Sequence, residues 1–269
     1  MSDESPTDLA ALTRRSIGVE SVDAAVSFYA PDAVWDASPW GMGVFEGHAA
    51  VRGFFEDWRR SYAGIEWEAE EIRDLGNGVT FAVILQKARV AGSSASAQLR
   101  YAAVAQWRDD LIVRNTTYTD IDEARAAAER LAAERGQAMS EENVEVVKRV
   151  IAALNQRNVG LYLTFCAPDV ELITPVSPLE GAATGTEGIR QFFAGLREAT
   201  DSFRLDAERL QAVGEDRVLA LGQLSMVSEG GIPLAQPFAN VYDLIDGKLR
   251  RVRAYSDWDE ALNAVGLEE

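Results

Sequence analysis

Few residues in this 269-residue chain are able to carry chemistry. There is one histidine, His48, and one cysteine, Cys166. That excludes an internal disulfide, a Cys-based zinc site and two separate histidine triads, and no metal or cofactor is expected. The densest cluster is Trp35-Asp36 with Trp40 close behind. A carboxylate among tryptophans loses water, which raises its pKa toward the range of a general base, so Asp36 is a catalytic candidate. Strict alternation turns Asp36 outward if Trp35 faces in, which leaves the alternative of a solvated strand residue. Asn240 and Tyr242 stand two apart, on one face of a strand. In a dry pocket the Asn240 amide is suited to hold a carbonyl or a developing oxyanion, making it the second catalytic candidate. Tyr242 adds a hydroxyl there or simply fills space. Asn115 and Thr117 repeat that spacing and read as polar positions on a pocket wall. His48, just after Gly47, reads as a solvent-facing imidazole, and Cys166 as a small buried hydrophobe. Asp120 and Asp257 each precede a helix and read as N-caps.

The elements that must position these groups come in two sets. Ala30-Pro-Asp32 recurs as Ala167-Pro-Asp169, Gly47-His-Ala-Ala-Val-Arg-Gly-Phe-Phe55 as Gly185-Thr-Glu-Gly-Ile-Arg-Gln-Phe-Phe193, and Tyr118-Thr-Asp-Ile-Asp-Glu-Ala124 as Tyr255-Ser-Asp-Trp-Asp-Glu-Ala261, at offsets of 137, 138 and 137 positions. Such order makes one unit written twice, with domains expected at 1–136 and 137–269. An Ala/Arg/Glu helix over 124–135 is expected to stop at Gly136-Gln-Ala, and Ser140 to cap the next. That next helix carries Val144, Val147, Ile151 and Leu154 at helical spacing. A short helix over 159–166, a strand over 170–174 and a third helix capped by Thr186 follow. Strands then run to the end, with Asp246-Gly247 as a two-residue hairpin. Helices followed by consecutive antiparallel strands give an α+β domain with its helices on one face of a curved sheet.

Composition agrees with two folded units: 47% hydrophobic and 26% charged residues. No apolar run approaches the roughly 18 residues of a membrane span. The acidic start, Met1-Ser-Asp-Glu, does not resemble a signal peptide, so a cytoplasmic location is expected. A net charge of −17 argues against nucleic acid as a partner.

Val146-Val-Lys-Arg-Val-Ile-Ala-Ala-Leu-Asn155, Phe165-Cys-Ala-Pro-Asp-Val170 and Gly185-Thr-Glu-Gly-Ile-Arg-Gln-Phe-Phe193 resemble the nuclear transport factor 2-like superfamily, with SnoaL-like polyketide cyclases and ketosteroid isomerases as its nearest branches. The resemblance implies two cystatin-like cones, each a bent sheet around about three N-terminal helices and an apolar pocket. It also implies where acids and bases would stand. The isomerase base position before a proline holds Thr174 in the second half and Ala37 or Ser38 in the first. The isomerase tyrosine position is Val150. The late-strand acid position is Asn240, or Ala103 in the first half, and the cyclase aspartate position is Ala254 or Thr117. Every mapped acid or base position is empty. Parity in the last strand puts Val252 and Ala254 on the pocket wall and Arg251 and Arg253 behind it, matched in the first half by Val113, Asn115, Thr117 and Thr119.

The expectation is a small-molecule pocket protein taking an apolar or polyketide-like ligand, working as a non-standard isomerase, cyclase or hydrolase. The alternative is a non-catalytic binding or interaction protein. Trp35, Trp40, Asn115, Thr117, Thr174 and Tyr242 are the candidate ligand contacts. The two halves are expected to pair within one chain as a pseudo-dimer, monomeric overall. Trp35 and Trp40 facing Leu172 and Val176 across the repeat imply that the two pockets no longer bind the same thing.

Overall fold

The computed structural model describes residues 7–90, 96–175, 177 and 181–267, so Val176 lies outside the described residues. The chain divides into two compact units, Met1–Gly136 and Gln137–Glu269. Each holds one six-stranded sheet.

The first unit opens with α1 (Leu9–Ser16) and α2 (Val22–Val26), then β1 (Tyr29–Asp36), a 3-10 turn at Ser38–Trp40, β2 (Val44–Glu46) and α3 (Gly47–Arg60). Four long strands follow: β3 (Tyr62–Asp74), β4 (Val79–Val90), β5 (Ser96–Arg108) and β6 (Leu111–Tyr118). Helix α4 (Ile121–Asn155) begins in this unit and ends in the next. The second unit repeats the series with α5 (Val159–Thr164), β7 (Cys166–Ile173), β8 (Ala183–Thr184), α6 (Gly185–Ala199), β9 (Thr200–Val213), β10 (Arg217–Ser228), β11 (Pro233–Ile245), β12 (Lys248–Tyr255) and α7 (Trp258–Ala264). Sheet order is β2-β1-β6-β5-β4-β3 and β8-β7-β12-β11-β10-β9. The four long strands form an antiparallel meander. The first strand instead pairs with the last in parallel, β1 with β6 and β7 with β12. The α+β class and the two cones stand as expected, and no helix among the described residues is long and apolar enough to cross a membrane.

Local chemistry accounts for most boundaries. Asp8, Ser21, Asn158 and Asp257 cap α1, α2, α5 and α7 by accepting from backbone N–H groups. Asp120 does the same for α4, taking Asp122 N and Glu123 N at 2.9 and 3.0 Å. At Asp246-Gly247 both residues have positive φ (50° and 68°), the geometry of a hairpin turn whose twist matches its strands.

Three expected details differ. Helix α4 does not stop at Gly136: good helix formers on both sides outweigh the roughly 1 kcal/mol that one glycine costs. The glycine serves packing instead, since a Cβ there would lie 2.7 Å from Asn77 Nδ2. Ser140 is therefore mid-helix, its hydroxyl donating to Gly214 O at 3.1 Å. Thr186 is not a cap either; α6 starts two residues earlier than that cap would set, at Gly185, with Thr184 at the N-cap making no side-chain bond.

Helices cover both faces of each sheet, not one. On the inner face of the second unit, Val147, Val150, Ile151 and Leu154 of α4 pack with Ile189 and Phe193 of α6 against the strands. On its outer face Ala261 and Leu262 of α7 cover Leu219, Leu221, Ala239 and Val241. In the first unit Ala124, Ala128 and Ala132 of α4 cover the outer face, against Val79, Phe81, Val83, Ala102 and Val104. A single side chain pins the inner helix of the second unit to its edge strand. Asn155 Nδ2 donates to Leu205 O at 2.9 Å, and Leu205 N donates back to Asn155 Oδ1 at 2.8 Å. Asn155→Ala would strand both backbone groups of buried Leu205, so it should cost about 1–3 kcal/mol in a urea unfolding curve. An unchanged midpoint would show that the clamp contributes nothing.

Candidate functional site

The inner face of the first sheet walls a cavity of about 130 Å³. Parity selects its lining. Thr80, Ala82, Ile84 and Gln86 of β4 face in, as do Tyr101, Ala103, Ala105 and Trp107 of β5. Helix α3 contributes Phe54, Phe55 and Trp58, and β1 contributes Tyr29 and Trp35. Trp35 meets Phe55 edge-on at 4.8 Å, and Trp40 meets Tyr101 edge-on at 5.0 Å. Both are favoured aromatic geometries.

Polar groups on this wall are mostly paired with one another. Trp58 and Trp67 Nε1 both donate to Gln86 Oε1, at 3.0 and 3.2 Å. Trp107 Nε1 and the Thr13 hydroxyl each donate to Thr80 Oγ1 at 2.9 Å. Asn115 Nδ2 donates to the Tyr29 hydroxyl at 3.0 Å. On the residues of this wall three buried atoms have no partner among the described residues: Trp35 Nε1, Trp40 Nε1 and Asn115 Oδ1. Among the described lining residues there is no carboxylate, histidine, lysine or cysteine, and Arg59 is the one charged side chain. Burial pushes the Tyr29 and Tyr101 hydroxyls well above their ordinary pKa, which keeps both neutral.

Asp36 is turned away from this cavity. Burial would raise its pKa, as the sequence reading expects. Instead, hydrogen bonds from Ser38 N (3.0 Å) and Ser38 Oγ (2.5 Å), together with the Arg114 ion pair, outweigh burial and lower it. It is neither a solvated strand residue nor a raised-pKa base but a carboxylate held charged. A group whose folded pKa is depressed stabilises the fold above the ordinary carboxylate value, and that contribution is lost as pH falls through the lowered value. The melting temperature should therefore decline below about pH 4, and Asp36→Asn should flatten that acid limb. An equally steep limb in the variant would assign the decline to other groups.

The remaining candidates fall as follows. Trp35, Trp40, Asn115 and Thr117 all line the cavity. Val113 does not. A bulge that pairs Gln106 with Arg114 and Trp107 with Ile112 leaves it between registers, and Ile112 lines the cavity in its place. His48 is half-buried, with Nε2 2.7 Å from Tyr29 O, so the solvent-facing reading does not hold. Thr174 sits in a tight turn whose N–H donates to Ser177 Oγ at 2.8 Å. Cys166 donates to Tyr162 O at 3.4 Å, and burial pushes its thiol up to about 12.

In the second unit the inner face is packed with side chains. Tyr242 (1% exposed), Phe193 and Tyr162 lie in one core, and Phe193 meets Tyr162 edge-on at 5.1 Å. Asn240 Nδ2 donates to the Tyr242 hydroxyl at 3.1 Å, and burial pushes that hydroxyl up to about 12. Strand pairing gives the physical reason for the difference between halves. Asn240 stands opposite Ala220 and Tyr242 opposite Val218, while Ala103 stands opposite Ala82 and Ala105 opposite Thr80. Where the first cone has two alanines, the second has an asparagine and a tyrosine.

The sequence reading missed Tyr29, Trp58, Trp67, Thr80, Gln86, Tyr101 and Trp107 as lining residues. A signal was present in β4, where Thr80 and Gln86 are the polar members of an otherwise apolar run and share one parity.

Two stretches of the chain, 10–115 and 147–252, each match the model of the SnoaL-like domain. Among solved structures, an NTF2-like protein of unknown function from Burkholderia pseudomallei is 21% identical, covering 46% of this chain and 97% of its own, at a TM-score of 0.40. An NTF2-like protein from Burkholderia xenovorans is 22% identical over 46% of this chain and 96% of its own, at 0.38. An uncharacterized cystatin-fold protein from Novosphingobium aromaticivorans is 24% identical over 42% and 97%, at 0.37. No curated protein matches the chain.

Proposed function

The chain belongs to the SnoaL-like domain family, whose domain it carries twice, and from that premise we propose that the first copy binds a small molecule while the second, its cone filled, is a structural copy. The observation that carries this reading is the contrast between the two inner faces. One walls a cavity of about 130 Å³ lined by aromatic rings, on whose residues three buried polar atoms have no partner among the described residues. The other is occupied by Tyr162, Phe193 and Tyr242. An apolar cavity with a few convergent polar groups is the usual form of a ligand site.

Binding is favoured over turnover. Proton transfer needs a group that titrates near the working pH, and the described lining offers none. In this reading Trp35, Trp40, Asn115 and Thr117 meet the ligand. Asp36, Asn240, Thr174 and Tyr242 serve the fold. The reading keeps the chain in the cytoplasm, pairs its two halves within one monomer, and leaves out nucleic acid on account of the net charge of −17.

A native mass spectrum of the protein purified from its own host tests the proposal, followed by denaturation and identification of what is released. The expected result is a single chain of 29.3 kDa carrying one small apolar molecule. Two molecules per chain would overturn the filled second cone. A bare chain in every preparation would count against ligand carriage.

A further inference from the structure

We infer that the ligand of the first cone is a neutral, single-ring compound presenting both hydrogen-bond acceptors and a hydrogen-bond donor; the inference rests on the reading that this cone is a ligand site. Size sets the first limit. The cavity, at about 130 Å³, is close to the roughly 150 Å³ at which an apolar protein cavity takes up benzene. One ring matches that volume.

The unpartnered atoms set the second limit. Trp35 Nε1 and Trp40 Nε1 are donors without acceptors, and Asn115 Oδ1 is an acceptor without a donor. The rest of the polar lining shows how thoroughly such groups are otherwise served here. Gln86 accepts from two indoles, Thr80 accepts from Trp107 and Thr13, and the other end of the same Asn115 amide is bonded to Tyr29. A buried polar group left unmet is costly, so three of them on residues that line one cavity mark the places where a ligand's own polar atoms go once these side chains turn toward it. A hydrocarbon would fill the space and leave all three unmet. A ring bearing a carbonyl and a hydroxyl answers them.

Charge sets the third. Among the described residues no carboxylate lines the cavity to receive a cation, and the Arg59 guanidinium repels one. An anion fares little better. Arg59 already donates through Nη1 and Nη2 to the carbonyls of Glu20 and Val19, and its guanidinium lies 5.1 Å from the centre of the Trp67 ring.

Calorimetric titration of the intact chain with four probes tests the inference: toluene, acetophenone, 4-hydroxyacetophenone and 4-hydroxybenzoate. Affinity should rise from toluene to acetophenone to 4-hydroxyacetophenone by about fivefold or more at each step, and 4-hydroxybenzoate should bind more weakly than 4-hydroxyacetophenone. Trp35→Phe combined with Trp40→Phe keeps two rings and removes both N–H groups. In that variant, checked for folding by its melting curve, the ratio of acetophenone to toluene affinity should collapse toward one. Toluene binding as tightly as the ketones would overturn the inference alone, because the three atoms would then not be ligand contacts. Tightest binding of 4-hydroxybenzoate would overturn it by requiring an anion. Failure of all four probes to bind would remove the ligand-site reading and the inference with it.

Discussion

Ala105→Tyr is expected to close the first cone and to lower the affinity for 4-hydroxyacetophenone at least about a hundredfold, a loss of roughly 2.7 kcal/mol. The argument comes from the protein's own second copy. At the matching strand position, opposite Val218, stands Tyr242, and it is 1% exposed inside a packed core. Ala105 stands opposite Thr80 and lines the cavity. A phenol ring is about the size of the benzene that such a cavity admits, so the new side chain occupies the ligand's place. Its hydroxyl also comes within the strand neighbourhood of Asn115, the residue paired with Ala105 across β5 and β6. Overpacking costs about 1–3 kcal/mol when a core has no room, and here room exists, so the melting temperature should hold or rise. Calorimetry checks the affinity and a thermal melt checks the fold. Retained binding in a folded variant would mean that the ligand sits elsewhere.

The reciprocal change should have the largest effect on stability. Tyr242→Ala empties the second cone at its largest fully buried side chain. Truncating a buried aromatic ring to alanine costs about 3–5 kcal/mol, because transfer free energy and a residual cavity add. The same change takes the hydroxyl that Asn240 Nδ2 donates to, leaving an amide in the core without its partner. Urea unfolding measures the total. A loss under about 1 kcal/mol would show that the second cone already contains free space, and would return it to the list of possible ligand sites.

How much of this was legible in the chain depends on how far apart the deciding residues lie. The repeat, the Asp120 and Asp257 caps and the Asp246-Gly247 hairpin are local patterns, and they read correctly. The wall residues Asn115 and Thr117 follow from the same two-residue alternation. The state of Asp36 follows only in part from its neighbours. Its pKa falls first because Ser38, two residues on, donates to it through N and Oγ, and then because Arg114, 78 positions away, is brought alongside by the parallel pairing of β1 with β6. Nothing near Asp36 announces that pairing. Helix α4 misled for the opposite reason: a glycine that reads as a stop lies within the helix, packed closely against the Asn77 side chain from another strand connection. The open and filled cones lie between these cases. Ala103 and Ala105 set against Asn240 and Tyr242 are visible once the repeat is aligned. Their meaning depends on knowing that both positions point inward.

The ring-lined cavity also makes the chain optically lopsided. Of six tryptophans, five (Trp35, Trp40, Trp58, Trp67 and Trp107) line the first cone. The sixth, Trp258, belongs to the second unit, where its Nε1 donates to Phe238 O at 3.0 Å. Intrinsic fluorescence therefore reports almost entirely on one half of the molecule, whereas far-UV circular dichroism weighs both halves alike. If the two units melt separately, the two spectroscopic transitions will not superimpose, and the gap between them measures the difference in stability without any label or dissection of the chain.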